Sequence, residues 1–215
     1  ESLQVRGIEH FVLCPGSRSA PLALALGALA KEGLIQLSTA IDERSAGFFA
    51  LGYSTSQGIA SAVITTSGTA VANLLPAAVE ADRSCQPLLF ITADRPFRLK
   101  EKGANQTVNQ EDFLRPVCRC FLEGPKNGVH LLELDNIGKF VDKLFTEASF
   151  FFPGPVHLNL PIEEPLHPSY QDQQLVLSGW SPSGATAIHR FKKLSNKKNE
   201  KYNFEKFQFN PSLPG

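Results

Sequence analysis

Residues 41–54 read Ile-Asp-Glu-Arg-Ser-Ala-Gly-Phe-Phe-Ala-Leu-Gly-Tyr-Ser, and they join an apolar run to a segment rich in small residues. The apolar run, residues 34–41, is typical of a strand, and Asp42 and Glu43 follow it directly. In an open α/β sheet, ligands bind at the carboxyl ends of the strands. Glu43 is therefore a candidate proton-transfer group. The simpler alternative is that Asp42 and Glu43 only cap a helix and favour its dipole.

The same alternation of apolar runs and helical segments extends over most of the chain. The pattern predicts strands at residues 8–14, 34–41, 60–66, 87–93, 117–122 and 154–161, and helices at 20–29, 42–53, 70–82 and 137–151. Pro76 lies inside the third predicted helix and should kink it. Such alternation predicts an α/β fold, with an open, mostly parallel sheet covered by helices on both faces. We assign residues 1–168 to this one domain.

Composition limits the classes of function. A chain of 215 residues with 42% hydrophobic residues suffices for one good core. The 21 basic and 21 acidic residues balance, which gives no support to nucleic-acid or membrane-surface binding driven by net charge. No apolar run is long enough to cross a bilayer. The four cysteines lack zinc spacing, and we expect free thiols in a reducing compartment.

The composition changes from about residue 169 onward. Residues 195–206 are rich in lysine and asparagine and are too polar to form a core. We expect residues 169–215 to be a linker or a flexible, poorly structured tail. The interspersed acidic and amide residues favour a solvated linker over a nucleic-acid contact. Because the chain contains no methionine, we expect it to be a fragment or a processed chain.

Four motifs follow predicted strands. Residues 15–19, Pro-Gly-Ser-Arg-Ser, suit an anion at a helix start, with a serine cap and a surface arginine as the alternative. Residues 65–69, Thr-Thr-Ser-Gly-Thr, are more simply a helix cap. Residues 93–96, Ala-Asp-Arg-Pro, offer a second cation. Residues 103–106, Gly-Ala-Asn-Gln, could orient a ligand through their amides or form an ordinary polar loop. None of the five histidines lies near a nucleophile or at metal spacing in the sequence.

Taken in order, the motifs are more specific than any one of them. The chain closely resembles the 2-succinyl-5-enolpyruvyl-6-hydroxy-3-cyclohexene-1-carboxylate synthase (MenD) family of thiamine-diphosphate enzymes from about residue 7 to 166. The resemblance rests on Cys-Pro-Gly-Ser-Arg-Ser (14–19), Asp-Glu-Arg-Ser-Ala-Gly-Phe-Phe-Ala-Leu-Gly (42–52), Thr-Ser-Gly-Thr-Ala-Val-Ala-Asn-Leu-Leu-Pro-Ala (66–77), Thr-Ala-Asp-Arg-Pro (92–96), Gly-Ala-Asn-Gln-Thr (103–107) and Gly-Pro-Val-His-Leu-Asn-Leu-Pro (154–161). It covers the family's N-terminal, pyrimidine-binding domain.

The resemblance implies a reaction in menaquinone and phylloquinone biosynthesis. Family members decarboxylate 2-oxoglutarate on thiamine diphosphate and add the resulting succinyl carbanion to isochorismate. By this resemblance Glu43 is the carboxylate that hydrogen-bonds the pyrimidine ring and favours its imino tautomer, so that the exocyclic nitrogen can deprotonate the thiazolium carbon. Ser67 and Thr69 are implied as further cofactor contacts.

The substrates carry several carboxylates, and this suggests roles for the other motifs. The resemblance implies that Ser17, Arg18 and Arg95 contact substrate carboxylates, because arginine suits bidentate carboxylate binding. Asn105 and Gln106 are implied as amides that orient the substrate.

The resemblance also implies parts that this sequence lacks. Family members hold Mg²⁺ and the diphosphate with a domain marked by Gly-Asp-Gly, and that tripeptide is absent here. We therefore expect no metal ligands in this chain, weak cofactor binding and no activity by the chain alone. The implied enzyme is a homodimer or higher oligomer, with no nucleic-acid or membrane partner, in the cytoplasm or the plastid stroma. The alternatives are a pyrimidine domain of an acetolactate-synthase-like enzyme and a non-catalytic α/β binding or dimerisation module.

Overall fold

The computed structural model describes residues 2–100, 102–103, 105–167 and 169–171. Its strands are β1 His10–Leu13, β2 Gln36–Thr39, β3 Ser61–Thr65, β4 Leu88–Asp94, β5 Cys120–Glu123 and β6 Pro155–Pro161. They form one sheet in the order β2-β1-β3-β4-β6-β5, and every described pair is parallel. The prediction of an open, mostly parallel sheet is confirmed. All carboxyl ends consequently lie along one edge of the sheet, which we call the carboxyl edge.

Helices cover both faces of this sheet. They are α1 Ser2–Val5, α2 Ala20–Lys31, α3 Glu43–Gln57, α4 Thr69–Ala72, α5 Leu75–Arg83 and α6 Leu134–Ser149. Side chains of α1, α2 and α6 pack in one core, and those of α3, α4 and α5 pack in the other. The prediction of helices on both faces is confirmed.

Strand β4 shows why both faces must be covered. All seven of its residues are buried. Leu89 and Ile91 belong to the core under α2 and α6, whereas Leu88 and Phe90 belong to the core under α3 and α5. Successive side chains of a strand point to opposite faces, so a continuous apolar run requires an apolar layer on each side.

The prediction of one kinked helix over residues 70–82 is wrong. The chain forms two helices there, α4 and α5, which are separated at Asn73 and Leu74. Pro76 lies in the first turn of α5, where its missing N–H would have had no partner within the helix. The proline therefore begins a helix instead of bending one.

Two further predictions concern a membrane span and the C-terminal tail. No helix in the described ranges is both long and apolar enough to cross a bilayer. The predicted tail, residues 169–215, falls mostly on residues 172–215, which lie outside the described residues. The assignment of a tail and the boundary near residue 168 therefore stay predictions.

Candidate functional site

Glu43 is the first residue of α3, a few residues after the end of β2. The neighbouring Asp42 caps this helix, because its carboxylate accepts a hydrogen bond of 2.7 Å from the backbone N–H of Ser45. The Oε2 atom of Glu43 instead accepts a 3.2 Å bond from Nδ2 of Asn73, at the end of α4. Among the described residues no partner engages its Oε1 atom. Capping is thus performed by Asp42, and the half-buried Glu43 carboxylate is directed toward a different helix.

The surroundings of Glu43 are closely packed. A Cβ atom on Gly47 would lie 2.7 Å from Cβ of Ala77, so α3 and α5 touch through small residues. Cys14 is buried at the end of β1. Burial, with a smaller contribution from the negative charges of Glu43 and Asp42, raises the pKa of its thiol to about 12. Cys14 is therefore a neutral neighbour of Glu43 at physiological pH.

The turn after β3 presents buried hydroxyl groups without partners. Thr65, Thr66 and Ser67 each have a buried side-chain oxygen with no hydrogen bond within the described residues. Such groups are uncommon, because buried polar atoms usually find a partner. The turn after β1 packs directly against them, since a Cβ atom on Gly16 would lie 2.5 Å from Cβ of Thr66. The arrangement offers a ligand several hydrogen-bonding atoms at the centre of the carboxyl edge.

The other two predicted hydroxyl contacts are placed differently. Ser17 is exposed in the turn between β1 and α2, and Thr69 is exposed at the first position of α4. Both hydroxyls are therefore accessible to a ligand that lies over the carboxyl edge.

Arg18 is nearly fully buried, with 3% of its surface exposed. Its Nη1 atom donates to the carbonyl oxygen of Ile162 at 2.9 Å, and Nη2 donates to Glu164 at 3.3 Å. Its Nε atom has no partner among the described residues. Burial lowers the pKa of Arg18, and the nearby charge of Arg95 lowers it further. An arginine remains protonated at neutral pH nonetheless, so two neighbouring positive charges lie at this edge and favour an anion.

Arg95 also fixes the loop that carries the predicted amides. Its Nε atom donates a 2.6 Å hydrogen bond to the backbone carbonyl of Asn105. Gln106 has a φ of 54°, and its Cβ lies 3.2 Å from the position of a Cβ atom on Gly68. The loop therefore packs against the turn after β3, and the side chains of Asn105 and Gln106 are exposed there.

Sequence reasoning missed Gln110, which joins this loop to three parts of the carboxyl edge. The side chain is fully buried. Its Oε1 atom accepts a 2.8 Å bond from the backbone N–H of Gly68. Its Nε2 atom donates to the carbonyl of Ala93 at 3.0 Å and to Oδ1 of Asn159 at 2.8 Å. One amide thus links the turn after β3 to strands β4 and β6.

A buried carboxylate continues this network. Asp94 is fully buried and forms a 2.9 Å ion pair with Lys100, which also pairs with Glu111 at 2.9 Å. Its Oδ1 atom accepts from the backbone N–H of Arg95 at 2.7 Å, and its Oδ2 atom accepts from Asn159 at 2.9 Å. The cation that pairs with Asp94 is thus Lys100, and the guanidinium of the neighbouring Arg95 is directed to the loop that carries Asn105.

The buried histidines His10 and His157 each bond a hydroxyl of a neighbouring strand. Nδ1 of His10 lies 2.8 Å from the hydroxyl of Ser61, and the ring stacks on Tyr53. Nε2 of His157 lies 2.8 Å from the hydroxyl of Thr92, and burial lowers the pKa of His157 to about 3. The four cysteines are free thiols, and the reducing compartment stays a prediction. Within the described ranges, no three His, Cys, Asp or Glu side chains are grouped to hold a metal ion.

Comparison with known proteins agrees with this geometry. Residues 1–113 match the family model described as thiamine pyrophosphate enzyme, N-terminal TPP binding domain. Two relatives carry the name 2-succinyl-5-enolpyruvyl-6-hydroxy-3-cyclohexene-1-carboxylate synthase. The protein of Prochlorococcus marinus strain MIT 9303 is 62% identical over 176 residues, which are 82% of this chain and 30% of the relative. The protein of Synechococcus sp. strain WH7803 is 63% identical over 180 residues, which are 84% of this chain and 31% of the relative.

A relative of the same name with a lower identity matches a similar share of this chain. The protein of Synechococcus sp. strain CC9605 is 56% identical over 188 residues, which are 86% of this chain and 34% of the relative. The chain thus spans about a third of the length of the curated relatives it matches. Because the family model covers more than half of the chain and ends beyond the turn that carries Asn105 and Gln106, the chain belongs to the thiamine pyrophosphate enzymes and corresponds to their N-terminal, TPP-binding domain.

Proposed function

We propose that this chain supplies the pyrimidine-binding half of a thiamine-diphosphate site in a 2-succinyl-5-enolpyruvyl-6-hydroxy-3-cyclohexene-1-carboxylate synthase. Such an enzyme consumes 2-oxoglutarate and isochorismate and releases CO₂. The observation that carries the proposal is Glu43, whose carboxylate lies at the carboxyl edge with one oxygen bound by Asn73 and the other without a partner among the described residues. The names of the relatives support this synthase over an acetolactate-synthase-like enzyme.

The residues at the carboxyl edge fit the cofactor's aminopyrimidine. Oε1 of Glu43 is available to accept a hydrogen bond from a ring nitrogen, and the buried hydroxyl of Ser67 is available to bind a polar atom beside it. Thr69 lies at the next position but one and contributes an exposed hydroxyl. Bound thiamine diphosphate supplies the acidic carbon that attacks a 2-oxo acid. Glu43 holds the proton at the ring nitrogen and, through the ring, favours the tautomer that acts as the base.

The cationic residues account for substrate binding. Arg95 is close enough to Arg18 for its positive charge to lower the pKa of Arg18, and a substrate carboxylate would relieve this repulsion. The unpaired Nε of Arg18 gives one donor toward such a group. Ser17 adds a hydroxyl at the same turn, and the exposed amides of Asn105 and Gln106 orient the substrate from the loop that Arg95 holds.

The proposed site is half of a complete one. The diphosphate and Mg²⁺ need ligands from a part of the enzyme that has no counterpart in the described residues. In the proposed homodimer, the pyrimidine-binding domain of one subunit meets the diphosphate-binding domain of the other. The proposed compartment is the cytoplasm or the plastid stroma.

A hybrid enzyme tests the proposal. In this hybrid, the chain replaces the aligned 180 residues of the Synechococcus sp. strain WH7803 relative. With thiamine diphosphate, Mg²⁺, 2-oxoglutarate and isochorismate, we expect the hybrid to release CO₂ and consume isochorismate, and the chain alone to do neither. Turnover of pyruvate instead would indicate the acetolactate-synthase-like alternative. A folded hybrid that binds no thiamine diphosphate would indicate a non-catalytic module.

A further inference from the structure

We propose that Asn73 is a positioning residue that fixes the Glu43 carboxylate and assigns different tasks to its two oxygens. Nδ2 of Asn73 holds Oε2, and Oε1 remains for the cofactor ring. This inference rests on the proposed function, because it names a residue that prepares the same site. Nothing in the sequence motif indicated this role, since the predicted continuous helix over residues 70–82 placed Asn73 in a helix interior.

The break between α4 and α5 is what directs Asn73 toward Glu43. Asn73 is the residue that ends α4. On either side of it the chain is anchored, because Val71 and Leu74 are fully buried in the core under α3. The next helix, α5, touches α3 at Ala77 and Gly47. Packing therefore holds the backbone of the α4–α5 break next to the start of α3. From this fixed position the amide of Asn73 reaches the carboxylate of Glu43.

The carboxylate needs such a partner for a physical reason. The terminal torsion of a glutamate side chain is broad, so an unheld carboxylate samples many orientations. A hydrogen bond from an amide to a charged oxygen is stronger than a neutral one. The amide N–H of Asn73 donates a hydrogen bond but does not ionise in the physiological pH range. Asn73 therefore holds Glu43 without competing for the proton that Glu43 exchanges with the ring.

The alternative partners of Glu43 are absent from the described surroundings. The capping position is occupied by the carboxylate of Asp42. The nearby thiol of Cys14 is neutral and buried. Glu43 forms no ion pair in the described part of the chain. Asn73 is consequently the side chain in the described structure that sets the orientation of this carboxylate.

The first test measures the contact in the 215-residue chain, without cofactor. We expect the side-chain amide protons of Asn73 to show a downfield NMR resonance and slowed exchange with water, because one of them is bound to a carboxylate. Glu43→Ala should move this resonance to the position of a free amide, while the side-chain amide of Asn136, on α6, should not change. An Asn73 resonance that is identical in both proteins would overturn the inference.

The second test measures catalysis in the hybrid enzyme. Asn73→Ala should lower kcat about tenfold, the effect of one hydrogen bond to a charged group, with the KM for 2-oxoglutarate within about twofold. Asn73 is exposed, so its loss should leave folding intact. Asn136→Ala, on the opposite face of the sheet, is the matched control and should leave kcat unchanged.

A pH profile separates positioning from a general structural role. In Asn73→Asp the new carboxylate repels Glu43 when the new carboxylate is charged. When the new carboxyl group is neutral, it can donate a hydrogen bond to Glu43 as the amide does. Relative to the unsubstituted hybrid, this variant should therefore be weakest at neutral pH and regain activity as the pH falls toward about 5, because a neighbouring like charge raises a carboxyl pKa above its ordinary value of about 4. An unchanged kcat in Asn73→Ala, or a pH-independent loss in Asn73→Asp, would overturn the inference. An inactive unsubstituted hybrid would instead overturn the proposed function, and the NMR comparison would still decide the contact.

Discussion

Replacing Gln110 with leucine should destabilise the fold by about 3 kcal/mol. The buried Gln110 amide forms three hydrogen bonds, to Gly68, Ala93 and Asn159. Leucine leaves the backbone N–H of Gly68 without a partner, which costs about 2 kcal/mol, and removes two further bonds of about 1 kcal/mol each. The apolar surface that leucine buries offsets about 1 kcal/mol of this loss.

Urea unfolding followed by circular dichroism measures this difference. The matched control is Gln57→Leu, since Gln57 is exposed near the end of α3 and bonds only its neighbour Ser56. We expect the control to change the free energy of unfolding by less than about 0.5 kcal/mol. Amide exchange of Gly68 should also accelerate in Gln110→Leu. A loss below about 1 kcal/mol, or one equal to that of the control, would refute the assignment of Gln110 as the link across the carboxyl edge.

Three further predictions concern stability. The folded-state pKa of His157, about 3, lies below the ordinary value of 6.5. The unfolded chain therefore takes up this proton first, and stability should fall as the pH drops from about 6.5, by up to about 3 kcal/mol at pH 4.5. In urea titrations at several pH values, the stability of His157→Gln should fall less steeply as the pH drops. Equal slopes of stability against pH in the two proteins would contradict the prediction. Gly47→Ala should destabilise the fold by about 1–3 kcal/mol, because the new Cβ overpacks against α5. Gly52→Ala places its Cβ with no atom within 4 Å and should stabilise the fold by about 0.5–1 kcal/mol. A higher midpoint of thermal unfolding for Gly47→Ala than for Gly52→Ala would contradict the close contact between Gly47 and Ala77. Lys100→Met should cost about 3–5 kcal/mol because Asp94 is left buried without its cation. Arg98→Met, at an exposed ion pair, should cost less than about 1 kcal/mol. Similar urea midpoints for the two variants would contradict the buried pair.

The arrangement of strands could be predicted because each strand leaves a local signal. Apolar runs ended by glycine, proline or acidic residues marked all six strands to within a few residues. In β1, β3, β4 and β6 nearly every residue is buried, so these runs are continuous, and parallel strands of this kind indicate helices on both sides. Placing the motifs at one edge then followed from the rule that parallel carboxyl ends share an edge.

The break between α4 and α5 could not be predicted in the same way. Residues 70–82 have a helical composition throughout, and the effect of Pro76 depends on whether it lies inside a helix or at its start. Only the packing of Leu74 into the core decides this. The position of Asn73, and with it the contact to Glu43, depends on that tertiary choice.

The buried polar network is also invisible in the sequence. Gln110 follows a polar loop, and nothing local distinguishes it from an exposed glutamine. Its burial arises because β4 and β6 are neighbours in the sheet, which brings Asn159 and Asp94 within reach. Lys100 is the cation that pairs with Asp94, because its long side chain reaches the buried carboxylate, while the Arg95 guanidinium is bonded to the backbone of Asn105.

The most direct measurement of the central claim is the turnover of 2-oxoglutarate and isochorismate by the hybrid enzyme with and without Glu43. Glu43→Gln keeps the size of the side chain and removes its charge, and we expect kcat to fall by at least about 100-fold, as for the loss of a positioned acid–base group. Glu80→Gln, an exposed glutamate on α5, should retain the activity of the unsubstituted hybrid. Equal turnover in Glu43→Gln and the unsubstituted hybrid would contradict the claim that Glu43 is the carboxylate on which this site depends.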